Sequence, residues 1–237
     1  MSYDLLGYIF FGLYWVVFVY SIVLHEIAHG YSSYLMGDPT AWKAGRLTLN
    51  PLKHVDPLFS IVMPIIFFLG TGIPFGGAKP VPVNPLLYRN VRWGSLKSAA
   101  AGPLTNLALA LVFTLLFLLF RSMSRGTPTP TTCFLAICIT LNVFLAVFNF
   151  MPIPPLDGSH VLGALLPRDL QEPWGRLQSL GWLPLIILVI VNNRVWPIIS
   201  LPVWTLTSLL LRLMGAGDAL GEGGGIGPGI FLPRPGE

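Results

Sequence analysis

His25, Glu26 and His29 fall within five residues in SIVLHEIAHG (21–30). On a helix, a spacing of four puts both imidazoles on one face, one turn apart. Glu26 then lies about 100° round the helix, near enough to reach a water held between the imidazoles without becoming a ligand. Two such nitrogens ligate zinc, and a carboxylate in that position acts as a general base on water. The motif takes two of the four histidines and one of the four glutamates in the chain. The plain alternative is a polar patch satisfied by neighbouring helices.

A zinc site of this kind needs a third protein ligand. A glutamate some twenty residues downstream is excluded, because the next glutamate after Glu26 is Glu172. A third histidine in an HExxHxxGxxH pattern is excluded too, since GYSSYL follows His29. His54, Asp56 and Asp157 remain, and Asp157 is the strongest candidate. It stands in NVFLAVFNFMPIPPLDGSHV, where an apolar helix breaks at Pro152, Pro154 and Pro155, and Gly158 admits close backbone approach. Broken helices at membrane depth are tolerated where they line a protein site or a wet cavity. The plain alternative for Asp157 is a helix-end carboxylate at the interface.

The elements that must carry these groups are apolar. Of 237 residues, 54% are hydrophobic and 10% charged, with mean hydropathy +0.71; soluble domains carry about 25% charged residues. Residues 5–24 contain no charge, which is enough to cross a bilayer as a helix. A cleaved signal peptide fits this run poorly: it lacks a basic leader, and Asp4 precedes it. Further runs at 58–73, 98–120, 133–151, 180–191 and 195–213 predict an all-α polytopic membrane protein of about six spans, within a range of four to six. Residues 1–214 are expected to form one membrane-embedded domain with its core at 5–166. The Gly/Pro-rich 215–237 reads as a flexible tail. The net charge of +4 comes from loops and suits lipid headgroups, so a bilayer is the expected partner and nucleic acid is not. Cys133 and Cys138 lie in an apolar run and imply no disulfide framework. Membrane orientation and oligomeric state are left open.

The loop at 74–97 is expected to be extended near the site, because Pro80 and Pro82 forbid helix. One reading is a rigid loop. The other is a short one-sided strand, formed by Gly76, Gly77, Lys79, Pro80, Val81, Pro82 and Val83, in which Val81 and Val83 keep their N–H groups on one edge.

The pair HEIAHG and NFMPIPPLDG, separated by a span bearing AGPLTN (101–106), resembles the site-2 protease family of intramembrane zinc metalloproteases. That family joins HExxH on one transmembrane helix to N-x-x-P-x-x-x-L-D-G on a later one. Asn149, Pro152, Leu156, Asp157 and Gly158 match the second motif here. The resemblance covers roughly residues 5–166 and implies one zinc ion per chain, held by His25, His29 and Asp157, with Glu26 as general base. RLTLNPLKHVDP and GAKPVPVNP are similar to segments of the compact members. Neither the extra span that precedes HExxH in some relatives nor the PDZ domain that others insert is expected here.

The implied reaction is hydrolysis of a peptide bond in or near a transmembrane segment of a membrane-protein substrate. Its oxyanion needs a donor, with Asn149 the first choice and Asn106 the second; both could instead join helices. His54 reads as a structural or solvated histidine that could support the loop, and His160 has no firm assignment. Two rivals use the same metal site: a membrane metal transporter or sensor, and a non-catalytic scaffold. A scaffold need not keep Glu26, and no second cluster of histidines or acids marks a transport path.

Overall fold

The computed structural model of the chain describes residues 3–57, 60, 62, 65, 77–190 and 196–213. Most of the expected span at 58–73, Gly76 of the loop, and the tail at 215–237 lie outside the described residues. The helices are α1 (Tyr3–Met36), α2 (Thr40–Lys43), α3 (Val91–Met123), α4 (Pro130–Phe150), α5 (Asp157–Leu165), α6 (Arg168–Gln178), α7 (Leu183–Ile190) and α8 (Trp196–Leu213). Among the described residues, three stretches are long and apolar enough to cross a bilayer: Tyr8–Met36, Val91–Met123 and Pro130–Phe150. The chain is an all-α membrane protein, and no strand occurs among the described residues.

The loop expected at 74–97 ends earlier. Asn90 caps α3, its Oδ1 accepting the Trp93 N–H at 3.1 Å, so helix starts at Val91 rather than near 98. At 33 residues α3 is about 50 Å long, well beyond the roughly 30 Å of hydrocarbon, which lets its first polar turns lie outside the apolar run. Two Asn-Pro-Leu sequences punctuate the connections in the same way. Asn50 and Asn84 each accept the N–H two residues on, at 3.1 Å, and each opens a 3-10 turn (Pro51–His54 and Pro85–Leu87).

The chain forms two compact units. The first comprises Met1–Phe18, Asn106–Phe148 and Asn192–Glu237. Within it, one face of α3 is buried through Asn106, Ala110, Thr114 and Phe117, while Leu111, Leu115 and Leu119 are exposed. Small and polar groups pack inward and leucines point outward, as expected where the solvent is lipid. Asn106 Nδ2 donates to Asn142 Oδ1 at 3.2 Å, joining α3 to α4, and Phe10 meets Phe134 with ring centroids 5.3 Å apart.

The second unit comprises Val19–Thr105 and Asn149–Val191. It holds the C-terminal half of α1, the start of α3, the segments between them, and α5 to α7. After α4 the chain turns through Met151–Leu156, with a cis peptide at Pro154–Pro155, into α5, whose first residue is Asp157. The Trp174 indole of α6 donates to Ser159 O at 2.9 Å and holds α5 against α6.

Candidate metal centre

His25 and His29 stand one turn apart on α1, inside the second unit, with ring centroids 4.7 Å apart. Their Nε2 atoms are 3.0 Å from each other, and Asp157 Oδ2 lies 3.1 Å from the first and 3.2 Å from the second. Three ligand atoms from two distant stretches of chain thus converge, while no other such group of histidines, cysteines and acids occurs among the described residues.

The tautomer of His29 follows from its surroundings. Its Nδ1 lies 2.7 Å from Ser98 O, and a carbonyl only accepts, so Nδ1 carries the proton and Nε2 presents a bare lone pair. Asp157 Oδ2 is buried with no hydrogen-bond donor of its own. Facing electron pairs at this range repel unless a cation lies among them. Ligand atoms 2.0–2.1 Å from a tetrahedral zinc sit about 3.3 Å from one another, close to the spacing here. The donor set therefore fits zinc.

Two glycines make room for this convergence. A Cβ on Gly102 would collide with His29 Nε2 and lie 2.6 Å from His25 Nε2, so α3 approaches the imidazoles only because it has none there. A Cβ on Gly158 would collide with the Phe150 carbonyl, so the tight turn into α5 also requires glycine. Behind His29, Ser33 Oγ donates to the His29 carbonyl at 2.8 Å and meets Tyr88 Oη at 2.9 Å and Ser98 Oγ at 2.8 Å. Ser33 shares a helix face with His25 and His29, a spacing that could have singled it out. Tyr88 gave no signal.

Glu26 lies partly buried beside His25, and its Oε2 accepts the Val81 N–H at 2.9 Å. The N–H expected on an open edge of the loop is therefore engaged by the candidate base. Among the described residues the segment pairs with no strand. Gly77, Lys79, Pro80, Pro82 and Val83 flank the buried Val81, with Lys79, Pro80, Pro82 and Val83 exposed.

Asn149 is half-buried near the C-terminus of α4 and has a partner. Asn106 is fully buried, belongs to the first unit and bonds to Asn142. His54 is 2% exposed, so it is not a solvated histidine; its Nε2 donates to Thr48 O at 2.9 Å. His160 is exposed on α5, its Nδ1 3.3 Å from Gln178 Nε2. Asp38, buried between α1 and α2, was missed, although an acid two residues before a threonine marks a side-chain turn.

The sequence profile of peptidase family M50 matches residues 125–188. A Bacillus subtilis protein named "Putative zinc metalloprotease YwhC" is 34% identical over 192 residues, covering 78% of this chain and 84% of its own. Proteins named "Putative zinc metalloprotease Rip2" are similar as well. The one from Mycolicibacterium smegmatis is 30% identical, covering 72% of this chain and 63% of its own. The one from Mycobacterium tuberculosis is 28% identical, covering 87% and 77%. No solved structure matches the chain.

Proposed function

Because the chain belongs to peptidase family M50, we propose that this membrane zinc metalloprotease cuts peptide bonds within or near transmembrane segments of other membrane proteins. The observation that carries the reading is the approach of His25 Nε2, His29 Nε2 and Asp157 Oδ2 to 3.0–3.2 Å of one another at the end of an apolar helix.

These three residues would hold the ion. When bound, zinc supplies Lewis acidity that makes a water acidic near neutral pH and polarises a carbonyl. Glu26 takes the proton of the attacking water and returns it to the leaving amine. Its Oε1 makes no hydrogen bond among the described residues, while Oε2 is held by Val81. Ser98 keeps His29 in the tautomer that leaves Nε2 free to bind. Asn149 is the candidate to donate to the oxyanion.

A helical substrate hides its carbonyls in its own hydrogen bonds and must open before one can be attacked. Residues 77–83, which form neither helix nor strand, are the surface proposed to receive the opened stretch. Transmembrane peptides with helix-breaking residues near the cut should therefore be cleaved faster. Equal rates across a panel with and without such residues would refute this step.

The deciding experiment uses purified protein, one model transmembrane substrate and Glu26→Gln. Zinc content should stay at one per chain while cleavage falls by about a hundredfold or more. Metal flux into liposomes without cleavage by the wild type would overturn the reading in favour of transport.

A further inference from the structure

Among the described residues, three ionisable side chains outside the metal centre are buried without forming an ion pair: Asp38 is 0% exposed, Arg46 7% and His54 2%. Burying charge is expensive unless hydrogen bonds compensate it. Asp38 and Arg46 each place a side-chain bond on one short segment, His54 meets it through its backbone carbonyl, and none of these bonds touches a proposed metal ligand.

The Lys79 N–H donates to the His54 carbonyl at 2.8 Å, and Arg46 Nη2 donates to the Lys79 carbonyl at 2.6 Å. At the other end of the segment, the Asn84 N–H donates to Asp38 Oδ2 at 2.6 Å. The other oxygen, Asp38 Oδ1, accepts from the Thr40 N–H at 2.9 Å and from the Thr40 hydroxyl, which locks the carboxylate to the start of α2. The His54 side chain is tied back to Thr48 O, so its turn is fixed too. Both ends of residues 79–84 are thus held by buried groups on the stretch that follows α1.

Between those ends stands Val81, buried and flanked by Pro80 and Pro82. Each proline fixes its own φ and carries no N–H. Val81 supplies the one N–H of residues 80–82, and that N–H is on Glu26 Oε2.

We infer that Asp38, Arg46 and His54 are positioning residues, a buried clamp that holds residues 79–84 so that the Val81 N–H orients the Glu26 carboxylate. The inference rests on the hydrolytic reading of the site. The clamp explains why charge is buried apart from the His25, His29 and Asp157 group. The Asp38 carboxyl, which burial would raise, is held below the usual carboxylate range by its bonds from Asn84 and Thr40, so it stays an acceptor. A carboxylate free to rotate would spend less time aligned with the attacking water, and misplacement of about 1 Å costs up to a hundredfold in rate.

Hydrogen exchange on the full-length, zinc-loaded protein tests this directly, since exchange across residues 80–82 reports Val81 alone. Glu26→Ala should speed that exchange by removing the acceptor. Asp38→Asn and Arg46→Gln should speed it as well, although neither residue touches Val81. In the two clamp variants kcat should fall about tenfold or more, with KM and zinc content unchanged. Val81→Pro, which removes the N–H, should lower kcat further than Val81→Ala, which keeps it. This pair settles the question if the clamp variants fail to fold. Val81→Pro with the same kcat as Val81→Ala would overturn the clamp. Cleavage by the wild type, with Val81 exchange indifferent to all three substitutions, would overturn the clamp alone. A wild type that cleaves nothing overturns the hydrolytic reading and the clamp's task with it.

Discussion

At the scale of residues, the two proposed histidine ligands depend on neighbours that are not ligands. Ser98 O selects the His29 tautomer, and Gly102 leaves the space that the two imidazoles fill. Gly102→Ala should therefore weaken zinc binding by about tenfold or more, as measured by zinc titration. Alanine is nonetheless the better helix former by about 1 kcal/mol. Asp157→Ala removes a ligand outright and should leave purified protein with little zinc by elemental analysis. Asp38 offers a pH test. Its folded carboxyl lies below its unfolded value, so its contribution to stability is present above the unfolded pKa of about 3.9. That contribution is lost as pH falls through the folded value. The Tm gap between wild type and Asp38→Asn should be widest near neutrality and shrink as pH drops below about 4; a constant gap would refute the assignment. His25, Glu26, His29 and Asp157 could be named from the sequence because zinc chemistry restricts both residue type and spacing. Tyr88 and Arg46 could not, because their roles are contacts with residues distant in the chain.

At the scale of elements, long helices carry two kinds of face. On α3, Asn106, Ala110 and Thr114 are buried at helical spacing, and Leu111, Leu115 and Leu119 are exposed at the same spacing. Leu115→Lys should cost about 3–4 kcal/mol of insertion, read as loss of protein from the membrane fraction. Thr114→Ala, whose hydroxyl only bonds back to Ala110 O at 2.7 Å, should insert normally. Apolar runs revealed these helices, but not where they begin. The start of α3 at Val91 is set by the Asn90 cap and by polar turns that no hydropathy pattern includes. That residues 77–84 form no helix was legible from Pro80 and Pro82, because proline restricts its own backbone whatever the fold. The partner of the Val81 N–H was not legible, since extended backbone does not specify what faces it.

At the scale of the whole chain, the metal centre joins α1 to the start of α5, and zinc bound there stabilises the fold by mass action. Chelation should lower Tm in detergent and speed hydrogen exchange around residues 149–166. Re-addition of zinc should reverse both, and an unchanged Tm would mean that the site contributes nothing to folding. The sequence by itself determined the class of protein and named the candidate ligand pair, the candidate base and the acid most able to complete the site. Each of these follows from local rules: hydropathy over a span, the 3.6-residue turn, and the few side chains that bind zinc. Only the tertiary structure decided that Asp157 Oδ2 meets both imidazoles at 3.1 and 3.2 Å, that Ser98 sets the tautomer, and that Glu26 is held by Val81. Hydrogen bonds between distant residues depend on where two backbones meet, and packing settles that after the local rules have been satisfied.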